Sequence, residues 1–410
     1  MSELVLINVS GRDKPGLTSE ITGIMGRYNV RILDIGQAVI HDHLTWGILA
    51  EIPEEANAPH VIRDLLFRLH ALDLQVHFAP ITEEEYQQWA AGRNRACYIV
   101  TLLARDIQAE HIARVSEITA RHGLNIDNIS RLSARPSLNR ADNRLACVEF
   151  SVRGTPSDLE ALRTDFLKIA GELNVDIAFQ EDSIFRRNRR LVVFDMDSTL
   201  IEAEVIDELA REAGVGDQVA EITERAMRGE LDFSESFAER LALLKGLDEA
   251  VLEGIAARLK MTEGAEHLIR TLKALGYRTA ILSGGFTYFA RFLQARLGID
   301  FVHANELAIE NGKVTGEVSG QVVDGKRKAE LLLEIAEREG VSPEQVIAVG
   351  DGANDLPMLS QAGLGVAFRA KPLVKESARH SISTLGLDAI LYLIGFRESD
   401  TVHAVKASGS

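Results

Sequence analysis

Apolar and polar positions follow the same rhythm twice in the first part of the chain. Leu4 to Val9 alternates with the period of a strand, and Pro15 to Tyr28 places Leu17, Ile21, Ile24 and Met25 at helical spacing. Val30 to Ile40 and Leu44 to Ile52 read as two further strands, with His41-Asp42-His43 as turn residues between them. Val61 to Leu72 is helical again, with Ile62, Leu65, Leu66 and Leu69 on one face, and Leu74 to Phe78 closes the unit as a strand. The order βαββαβ predicts a ferredoxin-like α+β module.

The pattern then repeats. Ile24, Arg27, Val30, Ile32 and Ile35 are matched by Ile118, Arg121, Leu124, Ile126 and Ile129, a constant offset of 94 residues. Strands at Cys97–Leu103, Leu124–Leu132, Leu145–Val152 and Val175–Phe179, with helices at Ile107–His122 and Ser157–Leu173, complete the second copy. The modules are expected at residues 1–82 and 95–182, with the polar stretch Glu83 to Asn94 linking them.

The rhythm changes at Leu191. Leu191 to Phe194 is apolar without alternation, as in a parallel strand buried on both faces. Similar runs at Arg278–Leu282, Val346–Val349 and Leu364–Phe368 alternate with helical patterns at Ala265–Leu275, Tyr288–Leu297 and Lys326–Glu339. This predicts an α/β domain over residues 190–398, with a doubly wound, Rossmann-like parallel sheet. Glu202 to Lys260 holds helical patterns without a strand, so a helical cap is expected at about 202–262. Asn311-Gly312 marks a two-residue hairpin turn.

A chain of 410 residues suits roughly two to three domains, and 46% hydrophobic with 26% charged residues is ordinary globular composition. The net charge of −16 argues against nucleic-acid binding, which draws on excess Lys and Arg. No apolar run is long enough for a membrane span, and Met1-Ser-Glu-Leu-Val lacks the pattern of a signal peptide. Cys97 and Cys147, two thiols in so long a chain, suit a reducing cytoplasm and read as small buried hydrophobes. The basic cluster Arg186-Arg-Asn-Arg-Arg190 reads as a solvated junction before the sheet, and Ala404 to Ser410 as a small, polar tail.

Chemistry concentrates at the strand ends, where open α/β sheets bind ligands. Asp195 and Asp197 follow the first apolar run; two carboxylates so close stay ionised together only beside a cation, and an oxygen-rich site suits Mg²⁺. Asp195 is then placed to attack phosphorus and carry an aspartyl-phosphate. Ser283-Gly284 offers a hydroxyl and an unhindered N–H to phosphate oxygens, and Lys328 can neutralise the phosphoryl group. Asp351, between Gly350 and Gly352, is a further metal ligand, with Asn354 and Asp355 steadying the ligands from behind.

The set Asp195–Thr199, Ser283–Phe286, Lys328-Ala329 and Gly350–Asp355 resembles the phosphoserine phosphatase family of the haloacid dehalogenase superfamily, over nearly the whole chain. The resemblance implies Asp195 as nucleophile and Asp197 as general acid and then base. It implies Mg²⁺ on Asp195, the Asp197 carbonyl and Asp351, with Asn354 among the substrate-binding residues. In the cap it assigns Glu204 to the substrate ammonium, Arg240 to its carboxylate and Phe233 to shielding the pocket. Gly11-Arg-Asp-Lys-Pro-Gly16 resembles the effector turn of ACT domains, with Pro15 in the first helical turn. Asp13, Pro15 and Gly16 would then bind an amino acid such as L-serine, in modules that commonly pair, hence a homodimer. The second copy has Ala104-Arg-Asp-Ile-Gln-Ala109 there and lacks the Pro-Gly pair. The expectation is a cytoplasmic enzyme that hydrolyses O-phospho-L-serine in the last step of serine synthesis. Two alternatives are transfer of the phosphoryl group to an alcohol such as homoserine, and an inert amino-acid-sensing scaffold.

Overall fold

The computed structural model describes residues 2–92, 96–136, 145–401 and 403. The chain forms two compact units, Met1–Arg95 and Ala96–Ser410. The tail Ala404–Ser410 and the end of the link before Cys97 lie outside the described residues.

The first unit is built from β1 (Glu3–Arg12), α1 (Leu17–Arg27), β2 (Arg31–Ile40), β3 (His43–Ile52), α2 (Ala58–Ala71) and β4 (Leu74–Ile81). Its antiparallel sheet has the order β2-β3-β1-β4. Alternation puts Val5, Ile7 and Val9 of β1 on the inner face beside Trp46 and Ile48 of β3, where Ile21 and Met25 of α1 and Leu65 and Leu69 of α2 cover them. The buried stripe of α2 is Val61, Leu65 and Leu69; Leu66, expected on it, is 49% exposed because it lies one position around the helix. Pro15 precedes α1 instead of opening it: Gly16 is the N-cap, and its φ of 95° favours glycine. Most of the link is itself a helix, α3 (Glu83–Gly92).

The second unit begins with β5 (Cys97–Ala104), α4 (Ala109–Arg121), β6 (Leu124–Arg131), β7 (Ala146–Gly154), α5 (Leu159–Leu173) and β8 (Asp176–Glu181), in the sheet order β6-β7-β5-β8. This is the same topology as in the first module. The α/β domain then opens with β9 (Leu191–Phe194), buried at every residue. Cap helices α6 (Val205–Glu212), α7 (Gly216–Met227), α8 (Phe233–Ala242) and α9 (Val251–Arg258) follow. Next come α10 (Ala265–Ala274), β10 (Arg278–Phe286), α11 (Thr287–Leu297), β11 (Phe301–Glu310), β12 (Lys313–Ser319) and α12 (Gly325–Arg338). The chain continues through β13 (Val346–Gly350), α13 (Leu356–Gln361), β14 (Leu364–Phe368), α14 (Pro372–Ser377), β15 (His380–Ile382) and α15 (Ile390–Leu393).

The seven-stranded sheet runs β12-β11-β10-β9-β13-β14-β15. All its pairings are parallel except β11–β12, a hairpin closed by Asn311 and Gly312 at φ 52° and 75°, both positive as a type I′ turn requires. β9 lies at the centre between β10 and β13, so the carboxyl ends of these three strands meet at one place.

The basic cluster corrects the sequence reading. Arg186 is fully buried and ion-paired with Glu149 of β7, and Arg189 is also buried. The Arg186 charge is met by a carboxylate, whereas the Arg189 guanidinium donates to the Glu344 and Gly363 backbone carbonyls. Glu149 lies in a strand remote in sequence, so the pair is formed only by the fold. Cys147 is buried, whereas Cys97 is only half-buried.

Candidate active site

Asp195 follows β9 directly, and its N–H donates to the Val349 carbonyl of β13 at 2.8 Å, which extends the parallel ladder by one step. Its side chain is almost wholly buried. Lys328, in the first turn of α12 and 0% exposed, donates from Nζ to Asp195 Oδ1 at 2.8 Å and to Asp355 Oδ1 at 2.7 Å. The start of α12 is fixed by Asp324, whose carboxylate accepts the Arg327 N–H at 2.8 Å. A lysine held between two carboxylates is locked in the charged state: burial opposes its charge, but Asp195 and Asp355 outweigh it and raise its pKa.

The acids crowd one another. The oxygens of Asp195, Asp351 and Asp355 lie within 4.8 Å of one another, a grouping able to hold a metal ion. Burial pushes Asp195 up to about 7, with Asp355 adding to the rise and Lys328 opposing it. Burial, then Asp195 and Asp355, pushes Asp351 up to about 8. Hard carboxylate oxygens so crowded are the donor set a small divalent cation prefers. Asp355, however, is already committed, since it also accepts the Gly352 N–H on Oδ2 at 3.0 Å. Asp351 makes no ion pair among the described residues, whereas Asp195 and Asp355 both share Lys328. Thr199 Oγ1 donates to Asp351 Oδ1 at 3.0 Å and so ties the two strand ends together.

The Asp197 carboxylate stands outside this grouping. It accepts the Val205 N–H at the start of α6 at 3.3 Å, and burial, then Glu204 and Asp195, raises its pKa. A raised pKa favours the proton-bearing form of a carboxyl, the form suited to donate a proton. Gly285 leaves room for it: a Cβ there would come within 2.5 Å of Asp197 Oδ2. Ser283, fully buried at the end of β10, accepts the Gly285 N–H on Oγ at 2.9 Å. Ser198, at φ 56°, donates to Glu204 Oε1 at 2.8 Å and draws the first cap residue toward the strand end.

The fold thus gathers Asp195, Asp197, Ser283, Lys328, Asp351 and Asp355, with Glu204 close enough to raise the Asp197 pKa. Arg240 is half-buried on α8 and makes no ion pair among the described residues; its Nε donates only to the Ser236 carbonyl at 3.3 Å. Burial pulls its pKa down, with Glu204, Asp207 and Asp197 close enough to oppose. Phe233 opens α8, but its side chain lies outside the described residues. Asn354 sits in the turn after β13 with its carbonyl against Gly325. In the first unit, Asp13, Pro15 and Gly16 are all exposed. Sequence reasoning missed Asn305. This residue, 1% exposed, donates to the Gly284 carbonyl and accepts the Val323 N–H, each at 2.8 Å, and so fixes the Ser283 turn. A lone Asn in the middle of β11 offers no motif by which to find it.

Residues 189–363 match the haloacid dehalogenase-like hydrolase family, and residues 3–79 and 96–180 each match an ACT domain. The chain is 41% identical to a phosphoserine phosphatase of Streptomyces coelicolor over 97% of this chain and 93% of that one. It is 40% identical to a phosphoserine phosphatase of Mycobacterium tuberculosis over 95% of this chain and 93% of that one. A crystal structure of a probable phosphoserine phosphatase from Vibrio cholerae, in unliganded form, superimposes with TM-score 0.57 at 35% identity, covering 76% of this chain and 89% of that chain.

Proposed function

Because the chain belongs to the phosphoserine phosphatases of the haloacid dehalogenase-like hydrolases, with two ACT domains ahead of the hydrolase domain, we propose that it hydrolyses O-phospho-L-serine through Asp195. The observation that carries this is Lys328 wedged between Asp195 and Asp355. It keeps a nucleophilic carboxylate aligned inside a site otherwise hostile to an anion. The serine phosphate would seat its oxygens on the Ser283 hydroxyl, the Gly284 N–H and Lys328. An Asp195 oxygen forms a bond to phosphorus as the bond to the serine oxygen breaks, and Asp197 delivers its proton to that leaving oxygen. Asp197, now ionised, takes a proton from the water that attacks phosphorus and releases the Asp195 carboxylate. Asp195, Asp351 and the Asp197 carbonyl would hold Mg²⁺, which supplies positive charge against the phosphoryl oxygens.

Glu204 would meet the substrate ammonium. Arg240, with no carboxylate bonded to it among the described residues, would meet the substrate carboxylate bidentately, with Phe233 shielding the pocket and Asn354 lining it. The exposed apolar residues of β2, Ile32, Ile35, Val39 and Ile40, favour pairing of ACT domains in a homodimer. L-serine at Asp13, Pro15 and Gly16 would be the effector. No helix among the described residues is long and apolar enough to cross a membrane, and the proposed setting is the cytoplasm, in the last step of serine synthesis.

The test is phosphate release from L-phosphoserine with Mg²⁺, beside a panel of phosphosugars and nucleotides. Preference for phosphoserine, lost with EDTA and in Asp195→Asn, is the expected result. Release from other phosphates with phosphoserine ignored would defeat the assignment of Glu204 and Arg240.

A further inference from the structure

The second ACT domain and the hydrolase domain share one compact unit, and they meet at a telling loop. Where the first domain has its exposed Gly11–Gly16 turn, the second has Ala104-Arg-Asp-Ile-Gln-Ala109. Arg105, directly after β5, grips Glu263 with both ends of its guanidinium, Nη1 to Oε1 and Nη2 to Oε2, each at 2.7 Å. Its Nη2 also donates to the Thr384 carbonyl at 3.3 Å. The attachment is supported from β8: buried Asp176 accepts the Ser383 N–H at 2.7 Å, the Thr384 N–H at 3.0 Å and the Thr384 hydroxyl at 2.7 Å. Gln180 donates to the Leu393 carbonyl at 3.0 Å.

Glu263 belongs to the hinge of the cap. The chain leaves the core through Leu200–Glu202 and returns through Lys260–Thr262. These two stretches are bonded to each other, Glu202 N–H to the Lys260 carbonyl and Thr262 N–H to the Leu200 carbonyl, each at 2.9 Å. Glu263 is the next residue of the returning stretch. From it the charges continue across the hinge. Arg369 Nη2 donates to Glu263 Oε2 at 2.9 Å, Arg369 Nη1 lies 4.0 Å from Glu202 Oε1, and Lys260 Nζ lies 2.5 Å from Glu202 Oε2. Arg369 is held at φ 45°, a conformation that a non-glycine residue keeps only where its surroundings enforce it. Opposite charges therefore alternate from Arg105 through Glu263, Arg369 and Glu202 to Lys260, and span both hinge stretches.

We infer that the second ACT domain uses its β5–α4 loop as a clamp on the cap hinge, not as an effector turn, with Arg105 and Glu263 as positioning residues for cap closure. This rests on the reading that the cap closes over phosphoserine. The two side chains are 33% and 44% exposed, so water screens the pair and its loss has a modest effect, about fivefold.

The experiment compares the full-length chain with Arg105→Ala, Arg105→Lys and Glu263→Gln. Hydrogen exchange is followed at the Glu202 and Thr262 amides, with phosphoserine and p-nitrophenyl phosphate as substrates in Mg²⁺. In Arg105→Ala and Glu263→Gln, exchange at both amides is expected to quicken about fivefold and KM for phosphoserine to rise severalfold. Turnover of p-nitrophenyl phosphate, which has no groups for the cap to grip, should stay unchanged, and Arg105→Lys should fall between. Unchanged exchange at the hinge in both Arg105→Ala and Glu263→Gln overturns the clamp. If the parent enzyme ignores phosphoserine, the proposed substrate fails, while the exchange comparison still decides the clamp. Should Arg105→Ala not fold, Glu263→Gln removes the same pair from the hinge side.

Discussion

Replacing Lys328 by Met tests the centre of the site with a side chain of similar length and no charge. At 2.8 Å from Asp195, one ion pair is worth about 6 kcal/mol of attraction at an effective dielectric of about 20, and Asp355 adds a second of similar size. Much of that is offset by desolvation, because Lys328 is 0% exposed and Asp355 is equally buried. What survives is the cost of stranding two buried carboxylates, about 3–5 kcal/mol for breaking a pair of this kind. In turnover, the loss of a donor aimed at the phosphoryl oxygens is expected to lower kcat by about 10²–10³-fold. The assay is single-turnover phosphate release from phosphoserine at saturating Mg²⁺, with thermal unfolding of the same preparation to separate folding from chemistry. A folded Lys328→Met variant whose kcat stays within about threefold of the parent would refute the role assigned to this lysine.

Arg240→Ala should raise KM for phosphoserine by about 10²-fold, the range expected for a charged hydrogen-bonding partner, while leaving p-nitrophenyl phosphate hydrolysis nearly intact; equal losses on both substrates would remove Arg240 from substrate recognition. Arg186→Met strands Glu149 in the interior and should cost about 3–5 kcal/mol of stability, whereas adding Glu149→Leu should recover most of it. Denaturant melts of the two variants check this, and a double variant no better than the single one contradicts it. His380 is buried, and burial, with Arg163, Arg379 and Arg189 nearby, pulls its pKa down to about 3. The unfolded chain binds that proton near pH ~6.5, so stability is lost as pH falls from there toward the folded value, by up to about 1.4 kcal/mol per pH unit. His380→Gln should therefore gain on the parent between pH 7 and pH 5 in thermal melts, and a constant difference across that range would exclude the effect.

Much of the architecture was legible because parallel strands in a doubly wound sheet are buried on both faces. Leu191–Phe194 and Val346–Val349 announce themselves as unbroken apolar runs, and the carboxylates after them stand where the sheet delivers its ligands. The cap was legible as helix without strand, and the two ACT domains through their constant offset. Features that depend on distant partners were not legible. β15 spans only His380–Ile382, too short for any period to show. Arg186 reads as solvated until Glu149 is folded against it, and Arg105 reads as a loop charge until Glu263 arrives from another domain. Local sequence carries periodicity and strand-end chemistry, whereas the pairing of buried or bridging charges is a property of the tertiary fold.

The balance of charge explains why these site residues belong together. Asp195, Asp197, Asp351, Asp355 and Glu204 converge on a region whose bonded cation is Lys328. Lys328 satisfies Asp195 and Asp355, and the raised pKa of Asp197 favours its neutral, proton-donating form. Asp351 is left facing Asp195, with the Thr199 hydroxyl its hydrogen-bond donor among the described residues. A phosphate dianion adds two further negative charges in the same space. No rearrangement of hydrogen bonds among these residues neutralises that sum, but a divalent cation shared by Asp195 and Asp351 does. Charge also distinguishes the two ends of the substrate. The phosphate end requires imported positive charge, while in the proposed pose the amino-acid end would meet one acid, Glu204, and one cation, Arg240, opposite in sign to its ammonium and carboxylate. A site arranged this way discriminates by the amino-acid end and reacts at the phosphate end, so substitutions in the cap should alter which phosphate esters are chosen, and substitutions at the strand ends should alter whether any is cleaved.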